Sequence, residues 1–495
     1  MNTKTTNYKS IFKATSIFGG VQVFNILITL VRSKAVAILI GTAGMGLNGL
    51  FNSGLNLIRT LSSLGIAESA VRDISKAHSS ENEIEMATTA TVFKRLIWFT
   101  AALGIILTVA FSSVLSRFTF NSTEHTTSYI LLSSTFIFGT LSGGIYTLLR
   151  GTRQIKYLAQ ANVFGAIIGL LVALPIFYFY GIKGVVPAII ATAFGNYLVS
   201  LFYKNKIKFQ KIDLSWTETF VLGKPMVILG LSLTIINLLS SGIAFVLNVY
   251  ITKTGTLSDL GLYNAGLAIV DGYVGMVFTA MATDYYPRLS SVIHEETKWK
   301  QLVNEQAELV LIILSMVLVL LISTTPILIR ILLSKEFLAA KDLIFWAVLA
   351  IPLKGLVFVT GFVILAKGDN KLFFTIEIIA NLIILVFNLF FYKYFGLEGM
   401  GISMLISYSL SLILMLYILK SRYSFEFYSE VFRLFFKVFF ALSLCLISIK
   451  WLGYPYAYIP EAIIVIVTIV FSLRDLNKRM NLKEIYMNFK SKLKS

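Results

Sequence analysis

The sequence predicts an all-α polytopic membrane protein with about fourteen transmembrane helices, because apolar runs of about 20 residues recur along the whole chain. Of the 495 residues, 57% are hydrophobic and only 14% are charged, and the mean hydropathy is +0.80. A water-soluble protein could not cover that much apolar surface. The third observation is the placement of the basic residues, which concentrate in every second loop.

The predicted helices follow one another with short polar connections. Those of the N-terminal half cover 15–40, 47–67, 96–115, 128–149, 158–180 and 185–202. Those of the C-terminal half cover 227–251, 262–282, 309–332, 343–365, 373–392 and 401–419, and two further helices cover 434–449 and 459–473. Each is an apolar stretch of about the length that crosses the hydrocarbon core of a bilayer.

The basic residues predict the orientation of these helices. The loops on one side carry about four times as many Lys and Arg residues as the loops on the other side. Cytoplasmic loops carry such an excess, so we expect both termini in the cytoplasm and an even number of helices. A net charge of +18 on a soluble chain would point to nucleic acid. Here the charge orients helices, and we expect no nucleic-acid partner.

Related motifs recur in the two halves at a constant spacing. Gly181-Ile-Lys-Gly184 is followed 215 positions later by Gly396-Leu-Glu-Gly399. Gly46-Leu47 is followed at the same spacing by Gly261-Leu262. Each match falls between the same pair of predicted helices, which indicates a parallel internal repeat of the kind found in transporters.

The repeat predicts the domain organisation. Residues 1–208 and 209–423 would form two pseudo-symmetric lobes of about six helices each around a central cavity. Residues 424–495 would add two C-terminal helices and a basic tail on the cytoplasmic side.

The sequence contains no enzyme signature. It lacks the Gly-x-x-x-x-Gly-Lys-Ser/Thr phosphate loop, so hydrolysis of ATP by that route is not expected. The histidines His78, His125 and His294 lie in predicted loops, and the single cysteine, Cys445, cannot form an internal disulfide. We therefore expect a protein that is not an enzyme, with no catalytic residue, metal site or cofactor.

A polar stripe runs along the second predicted helix. Asn48, Asn52, Asn56, Arg59 and Ser63 are spaced by three or four positions, which places them on one helical face. A charge at mid-bilayer costs at least about 2.5–3.5 kcal/mol on insertion scales, so it tends to face a cavity or a partner. The stripe predicts a water-filled cavity with a basic wall for an anionic head group. The alternative is a structural ion pair, for example with Asp271.

Other ionisable residues in the apolar runs extend this prediction. Lys354 lies mid-way along the helix at 343–365, and Arg32 and Lys34 lie in the first helix, where snorkelling to the outer interface is the alternative. Asp271, 215 positions after Asn56, and Glu377 could bind coupled protons or form structural ion pairs. The predicted substrate-binding residues are Arg59, Lys354, Arg32, Lys34, Asn52 and Asn56.

Several segments resemble the Wzx-type polysaccharide translocases, a family in the superfamily that also holds MATE multidrug exporters and lipid II flippases. The resemblance covers nearly the whole chain. The segments that carry it are Arg32-Ser-Lys-Ala-Val-Ala, Gly41-Thr-Ala-Gly-Met-Gly-Leu47, Tyr285-Tyr-Pro-Arg-Leu289, Leu332-Leu-Ser-Lys-Glu-Phe337, Lys341-Asp-Leu343, Trp346 and Leu365-Ala-Lys-Gly368.

The resemblance implies a flippase of the bacterial inner membrane that works by alternating access. Its substrate would be an oligosaccharide on undecaprenyl diphosphate, an O-antigen or related repeat unit, moved from the cytoplasmic to the periplasmic leaflet. A cationic cavity suits such a diphosphate. The resemblance also implies a polymerase and a chain-length regulator as partners.

Two other functions remain open. A multidrug exporter of the same fold would need acidic cavity residues for cationic drugs, and basic ones dominate here. A membrane polysaccharide polymerase or ligase would need a large periplasmic loop, which the predicted helices do not leave room for.

Overall fold

A computed structural model describes residues 3–80, 82–207, 210 and 212–480. Within these ranges all regular secondary structure is helical. The chain divides into two compact units, one formed by Met1–Gly261 with Leu332–Ser334 and the other by Leu262–Ile331 with Lys335–Ser495. The predicted all-α membrane protein is confirmed, whereas the predicted lobe boundaries stay a prediction.

The helices follow the apolar runs but extend beyond them. Those that begin before residue 255 are α1 Thr3–Ser63, α2 Ile66–Ser79, α3 Glu83–Ala110, α4 Ser112–Phe120, α5 Thr126–Leu132, α6 Ser134–Gly151, α7 Ile155–Tyr180, α8 Val185–Lys204 and α9 Trp216–Thr254. The remaining helices are α10 Leu257–Val292, α11 Glu296–Leu332, α12 Lys341–Ala366, α13 Asn370–Tyr423, α14 Ser429–Leu452 and α15 Tyr458–Met480.

Polar caps explain why helices begin outside the apolar runs. The Asn82 side chain accepts hydrogen bonds from the backbone N–H groups of Ile84 and Glu85, at 3.0 and 3.2 Å, and so starts α3 well before the predicted residue 96. Ser215 and Glu218 form a capping box at the start of α9. The length rule finds only the apolar part of a helix, so it placed these starts too late.

The number of membrane crossings is bounded by length and composition. Eight helical segments in the described ranges are long and apolar enough to cross a bilayer, or up to ten if each of two bent helix pairs is one span. The segments Ile155–Lys204 and Asn370–Tyr423 contain 50 and 54 residues, although one crossing needs only about 20. Each is therefore long enough for two crossings, and the count of fourteen stays a prediction.

Two glycines break these long segments in the same way. Gly181 has φ 54° and ψ −133°, and Gly396, 215 positions later, has φ 57° and ψ −140°. These dihedral angles are accessible to glycine but strained for other residues. A Cβ at Gly184 would approach the Ile176 carbonyl oxygen, and one at Gly399 would approach that of Phe391, which is the matching pair. The sequence repeat therefore corresponds to a repeated backbone conformation.

A second repeated pair makes a reciprocal contact. A Cβ at Gly46 would lie 1.8 Å from the carbonyl oxygen of Leu257, and a Cβ at Gly261 would lie 2.0 Å from that of Thr42. Thr42 and Leu257 are themselves 215 positions apart. Only glycine permits this approach of α1 to α10, because any side chain would displace the facing backbone.

Each unit has its own apolar core. In the first unit, α2, α3, α6 and α8 enclose a cluster that includes Phe93, Leu96 and Leu149. In the second unit, α11 and α12 are the most buried helices, with Trp299 and Phe345 fully enclosed. Lys354 lies on α12, and most of the residues around it on this helix are apolar and buried.

Candidate functional site

The first polar centre is the predicted stripe on α1, beyond a kink at Gly41. The Asn52 amide donates to the carbonyl and side-chain oxygens of Asn48 at 2.8 and 3.1 Å. The Arg59 guanidinium donates to the Asn56 side-chain oxygen at 3.1 Å, and both residues are exposed. These bonds stay within one helix and fix the polar side chains along its surface.

Arg59 lines a cavity of about 380 Å³ inside the first unit. The α9 residues Thr234, Asn237, Ser240 and Ser241 face it, and the Thr60 and Ser241 hydroxyls are 3.2 Å apart. Small α6 residues also line the cavity and leave the guanidinium accessible: Gly139, Thr140, Gly143 and Gly144. The cavity is therefore bordered by one guanidinium and by hydroxyl and amide groups.

The guanidinium in this cavity keeps most of its hydrogen-bonding capacity. It lies 6.0 Å from the centroid of the Phe136 ring, a cation–π distance, and makes one hydrogen bond to Asn56. An arginine has five N–H donors in a planar fork, so several remain to bind a phosphate with two hydrogen bonds. Glu68 also lines the cavity and supplies a carboxylate to it.

The second polar centre belongs to the second unit. The Lys354 ammonium lies 3.8 Å from the Asp271 carboxylate, and it sits 5.6 and 5.9 Å from the ring centroids of Phe278 and Tyr408. The Lys354 side chain is 31% exposed and that of Asp271 is 66% exposed. A loose pair of this exposure is worth little, about 0–1 kcal/mol, so an anionic ligand could replace the carboxylate.

The other predicted site residues lie apart from these centres. Arg32 is exposed on α1, and the Lys34 ammonium donates to the backbone carbonyl of Leu333. Glu377 is half-buried on α13, where its backbone carbonyl accepts a hydrogen bond from Asn381 at 2.8 Å. None of the ion pairs between described residues involves Glu377. Roles for Arg32, Lys34 and Glu377 in binding or proton coupling stay predictions.

Sequence reasoning missed the α9 wall of the Arg59 cavity. Thr234, Asn237 and Ser241 are spaced by three and four positions, which is the periodicity that identified the stripe on α1. The same test applied to α9 would have found them. The rings around Lys354 gave no such signal, because the chain has 39 Phe and 23 Tyr residues and most aromatic residues pack in cores or at interfaces.

The described residues offer no site for a metal ion. Across these ranges, no group of three or more His, Cys, Asp or Glu side chains is arranged to hold one. The two centres contain cations, carboxylates, hydroxyls and amides.

The structure thus defines an all-α polytopic membrane protein with polar, cationic centres on its apolar helices. The family described as polysaccharide biosynthesis protein matches residues 35–342. The chain therefore belongs to the polysaccharide biosynthesis protein family.

The chain is also similar to a curated protein and to solved structures. The chain is 20% identical to the lipid III flippase of Escherichia coli (strain K12) over 371 residues, which cover 72% of this chain and 86% of the relative. The inward closed structure of the lipid II flippase MurJ matches with a TM-score of 0.60 and 15% identity, covering 94% of this chain and 99% of that one.

Multidrug transporters share the same fold. An inward-facing MATE family transporter of the MOP superfamily matches with a TM-score of 0.65 and 15% identity, covering 81% of this chain and 94% of that one. The solved structures therefore agree with the all-α polytopic fold class that the sequence predicts.

Proposed function

We propose that this protein is a flippase that moves an undecaprenyl-diphosphate-linked oligosaccharide, an O-antigen or related surface polysaccharide repeat unit. It would carry the head group from the cytoplasmic to the periplasmic leaflet of a bacterial inner membrane by alternating access. Arg59 in a polar cavity on an apolar helix is the observation that carries the proposal. Such a charge is costly in a membrane unless it faces water or a ligand.

The chemistry of the centres supports a phosphorylated saccharide as the ligand. The guanidinium of Arg59 can bind a phosphate with two hydrogen bonds, which an ammonium cannot match in geometry. The hydroxyl and amide groups of Thr234, Asn237 and Ser240 are the partners that sugar hydroxyls require. Lys354 adds a second cation that is accessible to an anionic ligand.

An apolar groove in the second unit supports the proposal that the substrate has a lipid tail. It has a volume of about 440 Å³ and runs between α14 and α15, with Leu434, Phe440, Val467 and Phe471 in its walls. An isoprenoid chain there would desolvate few polar groups, and apolar burial stabilises binding by about 25 cal/mol per Å². The names of the lipid III and lipid II flippase relatives agree with a lipid-linked substrate.

The expected orientation and partners follow from the same proposal. The excess of Lys and Arg in alternate loops supports cytoplasmic termini. A polymerase and a chain-length regulator would act on the delivered repeat unit.

A second candidate is export of cationic small molecules. The carboxylate of Glu68 in the Arg59 cavity and that of Asp271 beside Lys354 favour it, as does the shared fold of multidrug transporters. Arg59 lines the same cavity as Glu68, and Lys354 lies 3.8 Å from Asp271, so a basic residue in each centre disfavours a cationic ligand.

The proposal is tested with proteoliposomes that contain a fluorescent undecaprenyl-diphosphate oligosaccharide. Transbilayer movement is measured for the wild type, for Arg59→Ala and for Lys253→Ala. Lys253 is the matched control, because its ammonium lies over the Phe118 ring and does not line the Arg59 cavity. We expect rapid movement in the wild type and in the control, and loss of movement in Arg59→Ala.

Two results would contradict the proposal. Folded wild-type protein that exports a cationic dye but does not move the lipid-linked saccharide would establish the exporter instead. Equal movement in Arg59→Ala and the wild type would remove Arg59 from the substrate path.

A further inference from the structure

A second cavity in the first unit lies outside the proposed transport site. It has a volume of about 320 Å³ and is formed by α3, α6 and α8. Its apolar walls belong to the core of this unit and include Phe93, Ile97, Leu141, Ile145 and Leu148. The cavity is therefore a groove cut into packed helices, and its floor is made of buried side chains.

One end of this groove is basic. Lys94 on α3 and Lys204 in the last turn of α8 both line it and both are exposed, and Asn205 adds an amide beside them. No described residue that lines the groove is acidic. The groove between α14 and α15 differs, because Lys437 and Asp475 both line it and oppose each other in charge.

The groove changes from basic to apolar along its helices. Trp98 follows Lys94 by one turn of α3 and is 56% exposed, and Leu201 precedes Lys204 by about one turn of α8. Tyr197 lies a further turn along α8 and also lines the groove. From its basic end, the groove continues with an aromatic residue and then with aliphatic walls. This order matches the layers of a bilayer from its head groups inward.

We propose that this groove binds an anionic phospholipid of the cytoplasmic leaflet. The lipid phosphate would contact the Lys94 and Lys204 ammonium groups and the Asn205 amide. One acyl chain would lie against Ile97, Trp98 and Leu201. Charge complementarity carries the choice of lipid, since the described lining of the groove contains two lysines and no carboxylate, which favours an anionic over a zwitterionic head group.

The groove and the Arg59 cavity share a wall. Ile97 and Gly144 line both, and a Cβ at Gly144 would lie 3.1 Å from the Ile97 Cγ2 atom. A lipid in the groove therefore contacts the back of the wall that faces the transport site. Binding of the lipid does not depend on the proposed transport function and is tested separately.

The test measures lipid binding to the full-length protein in detergent by native mass spectrometry. Phosphatidylglycerol and phosphatidylcholine with the same acyl chains are titrated separately. The wild type is compared with the double variant Lys94→Gln and Lys204→Gln. The matched control is the double variant Lys206→Gln and Lys437→Gln, which removes the same charge from the cytoplasmic side but leaves this groove intact.

A lysine near anionic lipid contributes roughly a fivefold preference, so we expect the wild type to bind phosphatidylglycerol at least about tenfold more tightly than phosphatidylcholine. The Lys94 and Lys204 double variant should lose that preference, and the control should keep it. Each single variant should lose roughly fivefold, which preserves the test if the double variant misfolds.

Three outcomes would overturn the proposal. The wild type could bind both lipids equally, or the preference could survive in the Lys94 and Lys204 double variant. Displacement of bound phosphatidylglycerol by undecaprenyl phosphate would instead assign the groove to the transported lipid.

Discussion

Arg59 and Lys354 are both basic residues within apolar helices, but their surroundings differ. Arg59 is exposed in a cavity of hydroxyl and amide groups, and its hydrogen-bond partner is the neutral side chain of Asn56. Lys354 is 31% exposed, and its partner at 3.8 Å is the carboxylate of Asp271. An anionic ligand can bind Arg59 directly, whereas at Lys354 it must replace a carboxylate.

The sequence repeat relates one side chain in each centre. Asn56 and Asp271 are 215 positions apart, which is the spacing of the repeated glycines. One position holds an amide beside an arginine, and the matching position holds a carboxylate beside a lysine. We infer that the Asn56 amide leaves Arg59 accessible to a phosphate. The Asp271 carboxylate weakens the binding of a phosphate to Lys354. Exchanging the two side chains tests this inference.

The largest expected effect concerns the Arg59 guanidinium itself. We expect Arg59→Gln to weaken binding of an undecaprenyl-diphosphate oligosaccharide at least about a hundredfold, since two charge-assisted hydrogen bonds are worth about 1.5–3 kcal/mol each. Arg59→Lys keeps the charge but loses the planar fork, and should cost roughly tenfold. Fluorescence anisotropy of a labelled saccharide lipid with purified protein measures both.

Arg150 provides the control for this measurement. It is exposed at the end of α6 and does not line the cavity, so Arg150→Gln should bind as the wild type does. If Arg59→Lys also bound like the wild type, a positive charge alone would be sufficient for binding. The proposed pair of hydrogen bonds from the guanidinium to the phosphate would then be wrong.

Much of the fold could be predicted because its causes are local in the sequence. Apolar length, the side on which Lys and Arg collect, and the recurrence of Gly181 as Gly396 are all readable from the chain. The glycines were matched as letters, and their shared dihedral angles supply the physical reason. Helix starts were misplaced because caps such as Asn82 extend helices into polar segments.

The candidate site could be predicted only where it follows one helix. The stripe from Asn48 to Arg59 has helical spacing, so periodicity identified it. The contact of Lys354 with Asp271 joins α12 to α10, and no local pattern encodes it. The sequence did not indicate the groove of Lys94 and Lys204, because that groove exists only after α3 and α8 pack together.

The first exchange gives Arg59 a carboxylate partner. In Asn56→Asp the new carboxylate would lie where the amide oxygen now accepts a bond at 3.1 Å, so it should pair with the guanidinium and compete with phosphate. We expect saccharide-lipid binding to weaken roughly tenfold, because the ligand must then displace a charged partner from the guanidinium. Asn48→Asp is the matched control, because its charge lies two turns away. Equal weakening in both would mean that the added negative charge acts at long range rather than by occupying Arg59.

The reverse exchange has the smallest expected effect. Asp271→Asn frees Lys354 from a pair worth about 0–1 kcal/mol, so binding of the saccharide lipid should tighten by up to about fivefold. The gain needs the ammonium, so it should vanish in the double variant Asp271→Asn and Lys354→Gln. If the Asp271 carboxylate only competes with the ligand for Lys354, Asp271→Asn should leave the thermal stability unchanged. A clear loss of both stability and binding would show instead that the pair holds α10 against α12, and that the two centres differ in function as well as in partner.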